Sequence, residues 1–594
     1  MRILLLEDSG PILHLIRARL LNAGFEVETA TNGHQGFQMA TSNAYDAIVS
    51  DLQMPHWDGF KFIDAIQVIC PQLPIILVTA THEDEATFSR LKSYPNVQAI
   101  LRKPVDFNLL FNHLQTISPQ THTSVNKMAR IVCTIGPSCD TTAPLGKMIL
   151  AGMDVARLNF SHGSHEQHHK ALCAIRQAEK IWDKPIAVLQ DLSGPKIRTG
   201  DMRNGAIILT KGEQVIIQAE PLIGNGERIS TVVPSILKDL RKGDPVLLDD
   251  GLLELRVLKS GAEEVVCEIL VGGVLKSNKG INLPSTHLSL TSITEKDWQD
   301  LDWALEHSID YVALSFVRSA SDIHKVQDYI RDAGKKPLKV VAKIEKPEAV
   351  QNIHEIIQAS DAIMIARGDM GVELPAAKVP RIQERIIRLC REQNTPVIIA
   401  TQMLDSMTTN SRPSRAEVTD VSMAIKQGTD AVMLSQETAT GIDPVNVVRT
   451  MSSIICEEER YTETSTIQLN ELQQDSSVNP ALSAIAGLMN ISVALLLDPD
   501  GILYPSLSKW NRRVPTLLVT KSLRIARLSC LYNNIFPLII REELDRVDMV
   551  HASLSKAKEW GYIRVGDQVA FVEGFRVTRT GFHQIGAVQV VTVQ

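Results

Sequence analysis

The sequence is poor in aromatic residues and has no long apolar run. Phe, Trp and Tyr make up 5% of the 594 residues. A membrane-spanning helix needs about 20 mostly apolar residues in a row, and the best candidate, residues 485–497, is short and interrupted by Asn490 and Ser492. The opening string RILLLEDSG also lacks the basic, apolar and small-residue regions of a secretory leader. We therefore expect neither a membrane anchor nor a leader.

Cysteine is scarce and shows no metal-binding or disulfide pattern. The eight cysteines are scattered along the chain without a C-x-x-C pair, which is typical of reduced thiols in the cytoplasm. A net charge of −7 argues against general binding of nucleic acid. Hydrophobic and charged residues, at 44% and 22%, are close to globular averages. These features indicate a cytoplasmic protein with several folded domains.

The hydrophobic pattern divides the chain into four structural units. Apolar runs such as RILLLE and DAIVSDL alternate with helical patterns at the N-terminus, as in a doubly wound parallel sheet. The same alternation resumes after a polar segment and is interrupted once by strands of period 2. We predict, in chain order, an α/β domain over 1–117, a linker over 118–128, an α/β barrel over 129–195 and 292–465, a β insert over 196–291, and a last α/β domain over 471–594.

The first domain carries polar residues where its predicted strands end. Glu7 and Asp8 end the first strand, Asp51 the third, Thr79 the fourth and Lys103 the fifth. The carboxyl ends of neighbouring parallel strands lie together, so these side chains should converge. Clustered carboxylates suit Mg²⁺, and an aspartate beside the metal can accept a phosphoryl group. Lys103 would then pair with the acceptor, and Thr79 would hydrogen-bond the new phosphate.

The string D-L-Q-M-P-x-x-D-G from Asp51, with the later K-P pair, resembles the response-regulator receiver family. The resemblance implies that Asp51 is the phosphoacceptor and that a histidine kinase is the phosphodonor. The Mg²⁺ ligands it implies are Asp8, Asp51 and the carbonyl of Gln53, with Glu7 beside them. One position departs from the family, because Ile100 stands where an aromatic switch residue is usual.

A second group of polar residues lies in the predicted barrel. In the string V-A-R-L-N-F-S-H-G, Arg157, Asn159 and Ser161 alternate beyond a strand and face one way. An arginine fork beside short oxygen side chains suits a phosphate and a monovalent cation.

Four further candidates end later strands of the barrel: Lys343, Glu345, Asp369 and Thr401. Strand ends of a (β/α)₈ barrel meet at its C-terminal mouth, where that architecture keeps its chemistry. A lysine, an arginine and two carboxylates there are suited to phosphoryl transfer, which depends on positioning and charge neutralisation.

These strings resemble the pyruvate kinase family closely. VCTIGPSC, NFSHGSH, NKGINLP, VAKIEKPEAV, ARGDMGVELP and MLSQETATG occur in family order between residues 127 and 459. The resemblance implies a TIM barrel with an inserted β-barrel lid and a C-terminal α/β domain. It also implies transfer of a phosphoryl group from phosphoenolpyruvate to ADP, giving pyruvate and ATP, in a homotetramer.

The resemblance also assigns roles to individual residues. Arg157 is expected to bind the phosphate of phosphoenolpyruvate, and Lys343 to neutralise the phosphoryl group in flight. Thr401 is expected where the enolate is protonated. The remaining expected assignments are Mg²⁺ ligation by Glu345 and Asp369, contact with the ADP phosphates by Arg198 and Lys279 of the lid, and substrate binding by Gly368 and Ser315.

The cation site of the family is altered in this sequence. The usual string D-T-K-G-P-E-I-R is replaced by D-L-S-G-P-K-I-R, so that a threonine becomes Leu192 and a glutamate becomes Lys196. The family's K⁺ ligands correspond to Asn159, Ser161, Asp191 and the position of Leu192. The ammonium of Lys196 can supply a fixed positive charge near the same place. We predict that activity needs Mg²⁺ but not K⁺.

The C-terminal segment departs from the family most. Residues 501–594 contain 13 Lys and Arg against 7 Asp and Glu, a basic surface suited to subunit packing or receiver docking. Where the family binds a phosphorylated effector, this chain has L-D-P-D-G-I-L-Y, and we expect no sugar-phosphate binding there.

Three hypotheses follow from the sequence. The favoured one is a pyruvate kinase regulated by phosphorylation of Asp51. The first alternative is a non-catalytic signalling scaffold built on the same fold. The second is an active kinase whose receiver only mediates assembly.

Overall fold

The structure, a computed structural model, describes residues 1–43, 45–79, 85–117, 127–284, 286, 289–334, 337–462, 491–510, 514–542, 544–559, 562–563, 565–576 and 583–593. Most of the predicted linker, residues 118–126, lies outside the described residues. No helix in the described part of the chain combines the length and apolar character that crossing a bilayer requires.

The N-terminal domain is a five-stranded parallel sheet with the strand order β2-β1-β3-β4-β5. Its strands are β1 (Arg2–Leu6), β2 (Glu26–Ala30), β3 (Ala47–Asp51), β4 (Ile75–Thr79) and β5 (Val97–Arg102). Its helices are α1 (Gly10–Asn22), α2 (Gly33–Ser42), α3 (Gly59–Ile69), α4 (Glu85–Lys92) and α5 (Phe107–Thr116). Strands β3 and β4 are buried throughout, as continuous apolar runs in a parallel sheet should be. The strand order reverses between β1 and β3, and this switch point creates a crevice at the carboxyl ends.

The central domain is a closed eight-stranded parallel barrel, as the sequence predicts. The first strands and helices are β6 (Arg130–Thr134), α6 (Thr142–Ala151), β7 (Val155–Asn159), α7 (His165–Trp182) and β8 (Ala187–Asp191). Helix α7 begins with a capping box, in which Ser164 and Gln167 satisfy each other's backbone N–H groups.

The insert leaves the barrel after β8 and contains eight strands in two sheets. They are β9 (Ala206–Leu209), β10 (Gln214–Gln218), β11 (Arg228–Ser230), β12 (Pro245–Leu248), β13 (Leu253–Lys259), β14 (Glu264–Val271), β15 (Gly273–Lys276) and β16 (Ile281–Asn282). Six of them pair in the order β11-β10-β14-β13-β12-β16, and β15 pairs with β9. The insert has its own apolar core, so it can behave as a unit above the barrel.

The barrel resumes after the insert and ends with a long helix. Its remaining strands are β17 (Tyr311–Leu314), β18 (Lys339–Ile344), β19 (Ala362–Ala366), β20 (Val397–Ala400) and β21 (Ala431–Leu434). Its remaining helices are α8 (Glu295–Glu306), α9 (Ala320–Asp332), α10 (Pro347–Gln351), α11 (Ile353–Ala359), α12 (Arg367–Glu373), α13 (Val379–Glu392), α14 (Arg415–Gln427), α15 (Gln436–Ala439) and α16 (Pro444–Thr462). Strand β21 pairs with β6 and closes the barrel.

The C-terminal domain is a five-stranded sheet in the order β24-β23-β22-β25-β26, in which only the last pair is antiparallel. Its strands are β22 (Ile491–Leu497), β23 (Thr516–Thr520), β24 (Ile535–Ile539), β25 (Gln568–Arg576) and β26 (His583–Thr592). Its helices are α17 (Tyr504–Trp510), α18 (Leu523–Ser529) and α19 (Arg546–Glu559). The buried carboxylate of Asp498 accepts hydrogen bonds from the N–H groups of Ile502, Leu503 and Tyr504. The first turn of α17 is therefore satisfied within the chain.

The C-terminal domain packs against the end of the barrel opposite its mouth. The Tyr311 hydroxyl donates to the Leu528 carbonyl at 2.6 Å, and Arg527 Nε donates to Glu179 Oε1 at 2.8 Å. Apolar side chains inside the barrel form one continuous cluster with those of this domain. The two domains are joined by a shared core.

The N-terminal domain packs against the outer helices of the barrel. Its apolar core is continuous with the layer between the barrel strands and helices. Lys61 Nζ of α3 donates to the carbonyl of Ile181 at the end of α7, and Arg449 Nε of α16 donates to the Val68 carbonyl at 2.6 Å. Helix α6 carries Gly146 at the contact with Trp182, where a Cβ would collide with the indole. The first domain is therefore docked on the barrel.

Candidate functional site

The barrel mouth brings together residues that the sequence places far apart. Arg157 lies in the middle of β7, Asp191 ends β8 and Lys343 lies near the end of β18. Arg157 donates from Nε to Asp191 Oδ2 at 2.8 Å, and its Nη2 lies 2.6 Å from the same oxygen. A further bond runs from Arg157 Nη1 to Thr134 Oγ1 at 2.8 Å. These bonds hold the guanidinium in one orientation at the mouth.

Lys343 lies at the centre of this group. Its ammonium donates to Ser315 Oγ at 2.8 Å and lies 3.2 Å from Asp191 Oδ1 and 3.0 Å from Glu345 Oε1. Burial lowers the pKa of Lys343, but the charges of Asp191 and Glu345 outweigh burial and leave the pKa above its usual value. Burial alone would raise the pKa of Asp191. The charges of Lys343 and Arg157 outweigh burial and bring this pKa below its usual value. Lys343 is thus a permanent positive charge.

Two carboxylates at the mouth have the chemistry of a divalent-metal site. Glu345 is buried and accepts a hydrogen bond from the N–H of Phe316 at 2.9 Å. Asp369, in the first turn of α12, is exposed to the cleft beside it, and desolvation followed by the charge of Glu345 raises the pKa of its carboxyl to about 6. Desolvation and the neighbouring carboxylate outweigh the charge of Lys343 here, so a bound cation would stabilise the ionised form of Asp369. Hard oxygen ligands in such a place fit Mg²⁺.

Thr401 adopts a strained backbone conformation directly after β20. Its φ is 70° and that of Gln402 is 55°, in the left-handed region that residues with a side chain rarely adopt. Thr401 Oγ1 donates to the Ala400 carbonyl at 2.6 Å and accepts from the Gly368 N–H at 2.8 Å. Strain of this kind is concentrated at functional sites. The hydroxyl is thereby tied to the segment that carries Asp369.

The predicted monovalent-cation residues lie beside the same site. Asn159 Oδ1 accepts from the Ser161 N–H at 3.2 Å, and Ser161 Oγ lies 3.5 Å from Ser193 Oγ. Leu192 is buried and offers no side-chain oxygen. Burial, followed by the charges of Arg198 and Lys343, lowers the pKa of Lys196, while the charges of Asp191 and Asp369 act to raise it. Lys196 therefore lies in the electrostatic field of the mouth.

The insert and the barrel enclose a cleft of about 360 Å³. Lys196, Arg198 and Lys279 line it from the insert, and Asp369 lines it from the barrel. Arg198 Nη1 donates to the Asn278 carbonyl at 3.1 Å, and Lys279 Nζ pairs with Asp249 at 2.8 Å. The wall formed by the insert carries these three cations against Asp249 and Asp250, and a wall with an excess of positive charge fits a polyanion.

Three residues at or beside this cleft were not predicted from the sequence: Asn282, Lys346 and Glu373. Lys346 and Asn282 line it, and both bind the buried carboxylate of Glu373. Each of the three lies within the motif strings, but strings alone do not indicate which members face one another.

The N-terminal domain holds a second site at its switch point. Lys103 Nζ donates to Glu7 Oε2 and to Asp51 Oδ2, both at 2.7 Å. Carboxylate oxygens of Glu7, Asp8 and Asp51 lie within 4.8 Å of one another, close enough to bind one ion. Burial, opposed by Lys103 and reinforced by the charge of Asp51, raises the pKa of Glu7. The donor set fits Mg²⁺.

Two further predicted residues lie around Asp51. The N–H of Gln53 donates to Asp51 Oδ1 at 3.2 Å, which keeps the loop close to the carboxylate. Thr79 Oγ1 is buried and makes no hydrogen bond within the described part of the chain. A phosphoryl group on Asp51 would give this hydroxyl an acceptor.

Two separate parts of the chain match known protein families. Residues 126–448 match the family model of the pyruvate kinase barrel domain, and residues 3–115 match that of the response regulator receiver domain. A pyruvate kinase of Geobacillus stearothermophilus is 39% identical over 475 residues, which are 79% of this chain and 81% of that protein. One of Staphylococcus aureus (strain MRSA252) is 38% identical over 462 residues, 77% of this chain and 79% of that protein.

A solved structure gives the same result. The crystal structure of a pyruvate kinase from Cryptosporidium parvum superposes with a TM-score of 0.72 at 33% sequence identity, and the match covers 79% of this chain and 96% of that one. The family model covers more than half of the chain, and the identity of the relatives is well above the level at which only the fold is shared. The chain belongs to the pyruvate kinase family and carries a response-regulator receiver domain at its N-terminus.

Proposed function

We propose that the barrel transfers a phosphoryl group from phosphoenolpyruvate to ADP, giving pyruvate and ATP. The observation that carries the proposal is the position of Lys343, whose ammonium contacts Ser315, Asp191 and Glu345 at the mouth. A fixed cation among carboxylates is suited to a transition state whose negative charge is spread over the oxygens of the transferred group.

The charged residues of the barrel mouth have different roles in the proposed transfer. Arg157, held by Asp191 and Thr134, binds the phosphate of phosphoenolpyruvate. Lys343 stabilises the phosphoryl group between donor and acceptor, while Ser315 holds the ammonium in place. Glu345 and Asp369 would hold Mg²⁺, which would supply Lewis-acid neutralisation of the phosphate oxygens.

The remaining residues act on the nucleotide and on the enolate. Arg198 and Lys279 reach the ADP phosphates from the lid, across the cleft from Asp369. The Gly368 N–H donates to the Thr401 hydroxyl at 2.8 Å, directly beside Asp369 in the chain, and this hydroxyl acts where the enolate is protonated through water. Lid closure excludes water and so favours transfer to ADP over hydrolysis.

The family's K⁺ is dispensable in this chain according to our proposal. Leu192 removes one oxygen ligand, and Lys196 places an ammonium in the field of Asp191 and Asp369. The family also leads us to propose a cytoplasmic homotetramer.

A coupled assay of pyruvate formation on the purified full chain tests the activity. We expect Mg²⁺-dependent turnover that falls about 10²- to 10³-fold in Lys343→Met, because one preorganised charge is lost. Lys339→Met is the matched control, since Lys339 begins the same strand at the opposite end of the barrel. Absence of turnover in the wild type would favour the scaffold alternative, and equal activity in both variants would remove Lys343 from the mechanism.

We also propose that phosphorylation of Asp51 by a histidine kinase regulates this activity. The contacts of Lys103 with Glu7 and Asp51 support phosphoryl acceptance, since the lysine can bridge the new phosphate. The loop that follows Asp51 supports the coupling, because it leads in six residues to Trp57, which packs against Trp182 of the barrel.

The test is turnover of the wild type with and without acetyl phosphate, beside Asp51→Ala under both conditions. A change in turnover that appears only in the treated wild type supports regulation. Identical kinetics in all four samples would favour a receiver that only mediates assembly.

A further inference from the structure

Glu373 is a buried carboxylate at the end of α12 that has no part in the mechanism described so far. Its side chain is 1% exposed. Its Oε1 accepts from Lys346 Nζ at 2.5 Å and from Asn282 Nδ2 at 3.1 Å. Its Oε2 is buried and makes no hydrogen bond with any described residue. One carboxylate thus joins a lid residue to two segments of the barrel.

The three partners lie on the segments that carry the proposed catalytic groups. In the chain, Asn282 follows Lys279 by three residues, Lys346 directly follows Glu345, and Glu373 follows Asp369 by four residues. Four residues are about one turn of a helix, so Glu373 and Asp369 lie on neighbouring positions of α12. The contacts of Glu373 thus join the segment that carries Lys279 to the segments that carry Glu345 and Asp369.

Other contacts support the same connection. The lid loop reaches α12 beside Glu373, where a Cβ on Gly251 would lie 3.9 Å from Val372 Cγ1. The ammonium of Lys346 lies 5.8 Å from the ring centroid of Phe316, whose N–H donates to Glu345 at 2.9 Å. The lid thus meets the barrel at the elements that position the metal ligands.

We infer that Glu373 is a positioning residue that couples movement of the lid to the placement of Glu345 and Asp369. A buried carboxylate oxygen without a donor is costly, so a lid position that brings it a donor is favoured. The pair with Lys346 keeps the charge compensated while the lid moves. This inference rests on the proposed roles of Glu345 and Asp369.

The first test is Glu373→Gln in the full chain, which keeps the size of the side chain and removes its charge. Misplaced catalytic groups cost about 10- to 100-fold in rate. We expect a fall in kcat of that order and a higher Mg²⁺ concentration for half-maximal activity, with the KM for phosphoenolpyruvate almost unchanged. Asp361→Asn is the matched control, because Asp361 pairs with Lys339 at 2.8 Å at the opposite end of β18 and β19.

The second test is Asn282→Ala, which leaves the pair of Glu373 and Lys346 intact and removes only the contact from the lid. We expect a higher KM for ADP and faster hydrogen exchange in β16. If Glu373→Gln does not fold, this variant tests the coupling between lid and barrel by itself. Equal kcat and Mg²⁺ dependence in Glu373→Gln and Asp361→Asn would overturn the inference, as would an unchanged KM for ADP in Asn282→Ala. Full activity in Glu345→Gln would instead show that the proposed metal site is wrong.

Discussion

The indole rings of Trp57 and Trp182 meet edge to face across the boundary between receiver and barrel, with their centroids 5.3 Å apart. Lys61 Nζ lies 4.8 Å from the centroid of Trp57 and 5.3 Å from that of Trp182. The loop that carries Trp57 is tied to Asp51 through the bond from the Gly59 N–H to the Leu52 carbonyl at 2.7 Å. A rearrangement around Asp51 therefore acts on a side chain that the barrel holds.

We predict that the contact between receiver and barrel at Trp57 and Trp182, called the joint below, depends on pH through His34. Its ring lies 4.9 Å from that of Trp57, and burial, followed by the charge of Lys61, lowers its pKa to about 3. An opened joint returns the pKa toward its usual value of about 6.5, so the open form binds the proton more tightly. The docked form is fully favoured above about pH 6.5 and loses stability as pH falls from there towards 3, by ~1.4 kcal/mol at about pH 5.5.

Hydrogen exchange in α3 at several pH values measures this opening. After the rates are corrected for the intrinsic dependence of amide exchange on pH, we expect the protection of α3 to fall below about pH 6.5 in the wild type and to stay constant in His34→Gln. His14→Gln is the control, because His14 is exposed on α1, where its ring nitrogen bonds to the Gly10 carbonyl of the same helix. A pH dependence that persists in His34→Gln would assign the effect to another group.

Trp182→Ala should separate the receiver from the enzyme without harming the barrel mouth. Removing a buried aromatic ring costs about 3–5 kcal/mol, and Trp182 is half-buried, so we expect a loss of roughly 2 kcal/mol in unfolding free energy. Basal turnover should stay within about twofold, because Trp182 ends α7 and leads into the start of β8, at the opposite end of that strand from Asp191. The response to acetyl phosphate should vanish. The control is Trp298→Ala, which removes a half-buried indole packed on Tyr329. Retention of the full response in Trp182→Ala would show that coupling takes another route.

The fold and much of the site could be predicted from local sequence. Strands such as β3 and β4 are continuous apolar runs that end in Asp51 and Thr79, and parallel strands must bring these ends together. The same argument brings Lys343 and Glu345 to the mouth of the barrel. These predictions needed only the period of the pattern and the topology of the sheet.

Contacts between domains could not be predicted in this way. Trp57 and Trp182 are far apart in the chain, and no periodicity indicates that they pack together. Glu373 reads as an ordinary last-turn residue of a helix until Asn282 of the lid and Lys346 of the barrel are seen to bind it. Such pairs depend on how domains dock, which side-chain patterns within one element do not specify.

We predict a second effect of pH, on the binding of Mg²⁺ at Asp369 in the barrel mouth. Its carboxyl pKa of about 6 in the absence of metal means that protons compete with Mg²⁺ for the same oxygens. Because the carboxylate is the binding form, the Mg²⁺ concentration for half-maximal activity should rise about tenfold for each pH unit below 6 and level off above it. Measuring this concentration between about pH 5 and 8 checks the sign. A constant value across that range would exclude Asp369 as the titrating ligand.

The position of Lys196 leads us to predict that turnover does not depend on K⁺. Its ammonium lies in the field of Asp191, one of the residues that the resemblance assigns to K⁺, and of Asp369, while the buried Leu192 offers no side-chain oxygen. We expect turnover in tetramethylammonium and in potassium salts to agree within about twofold, since a fixed charge already serves the site. Lys196→Met should lower turnover in both salts, because removing the charge does not restore the side-chain oxygen that is missing at Leu192.

The double change Leu192→Thr with Lys196→Glu separates this explanation from a general effect of charge. It restores the oxygen ligand and the carboxylate of the family, so turnover should become dependent on K⁺ and should be lost in tetramethylammonium. Lys276→Met is the control, because Lys276 is exposed on β15 of the lid and does not line the cleft. Strong stimulation of the wild type by K⁺ would contradict the role of Lys196, because an ion would then be doing what we assign to the ammonium.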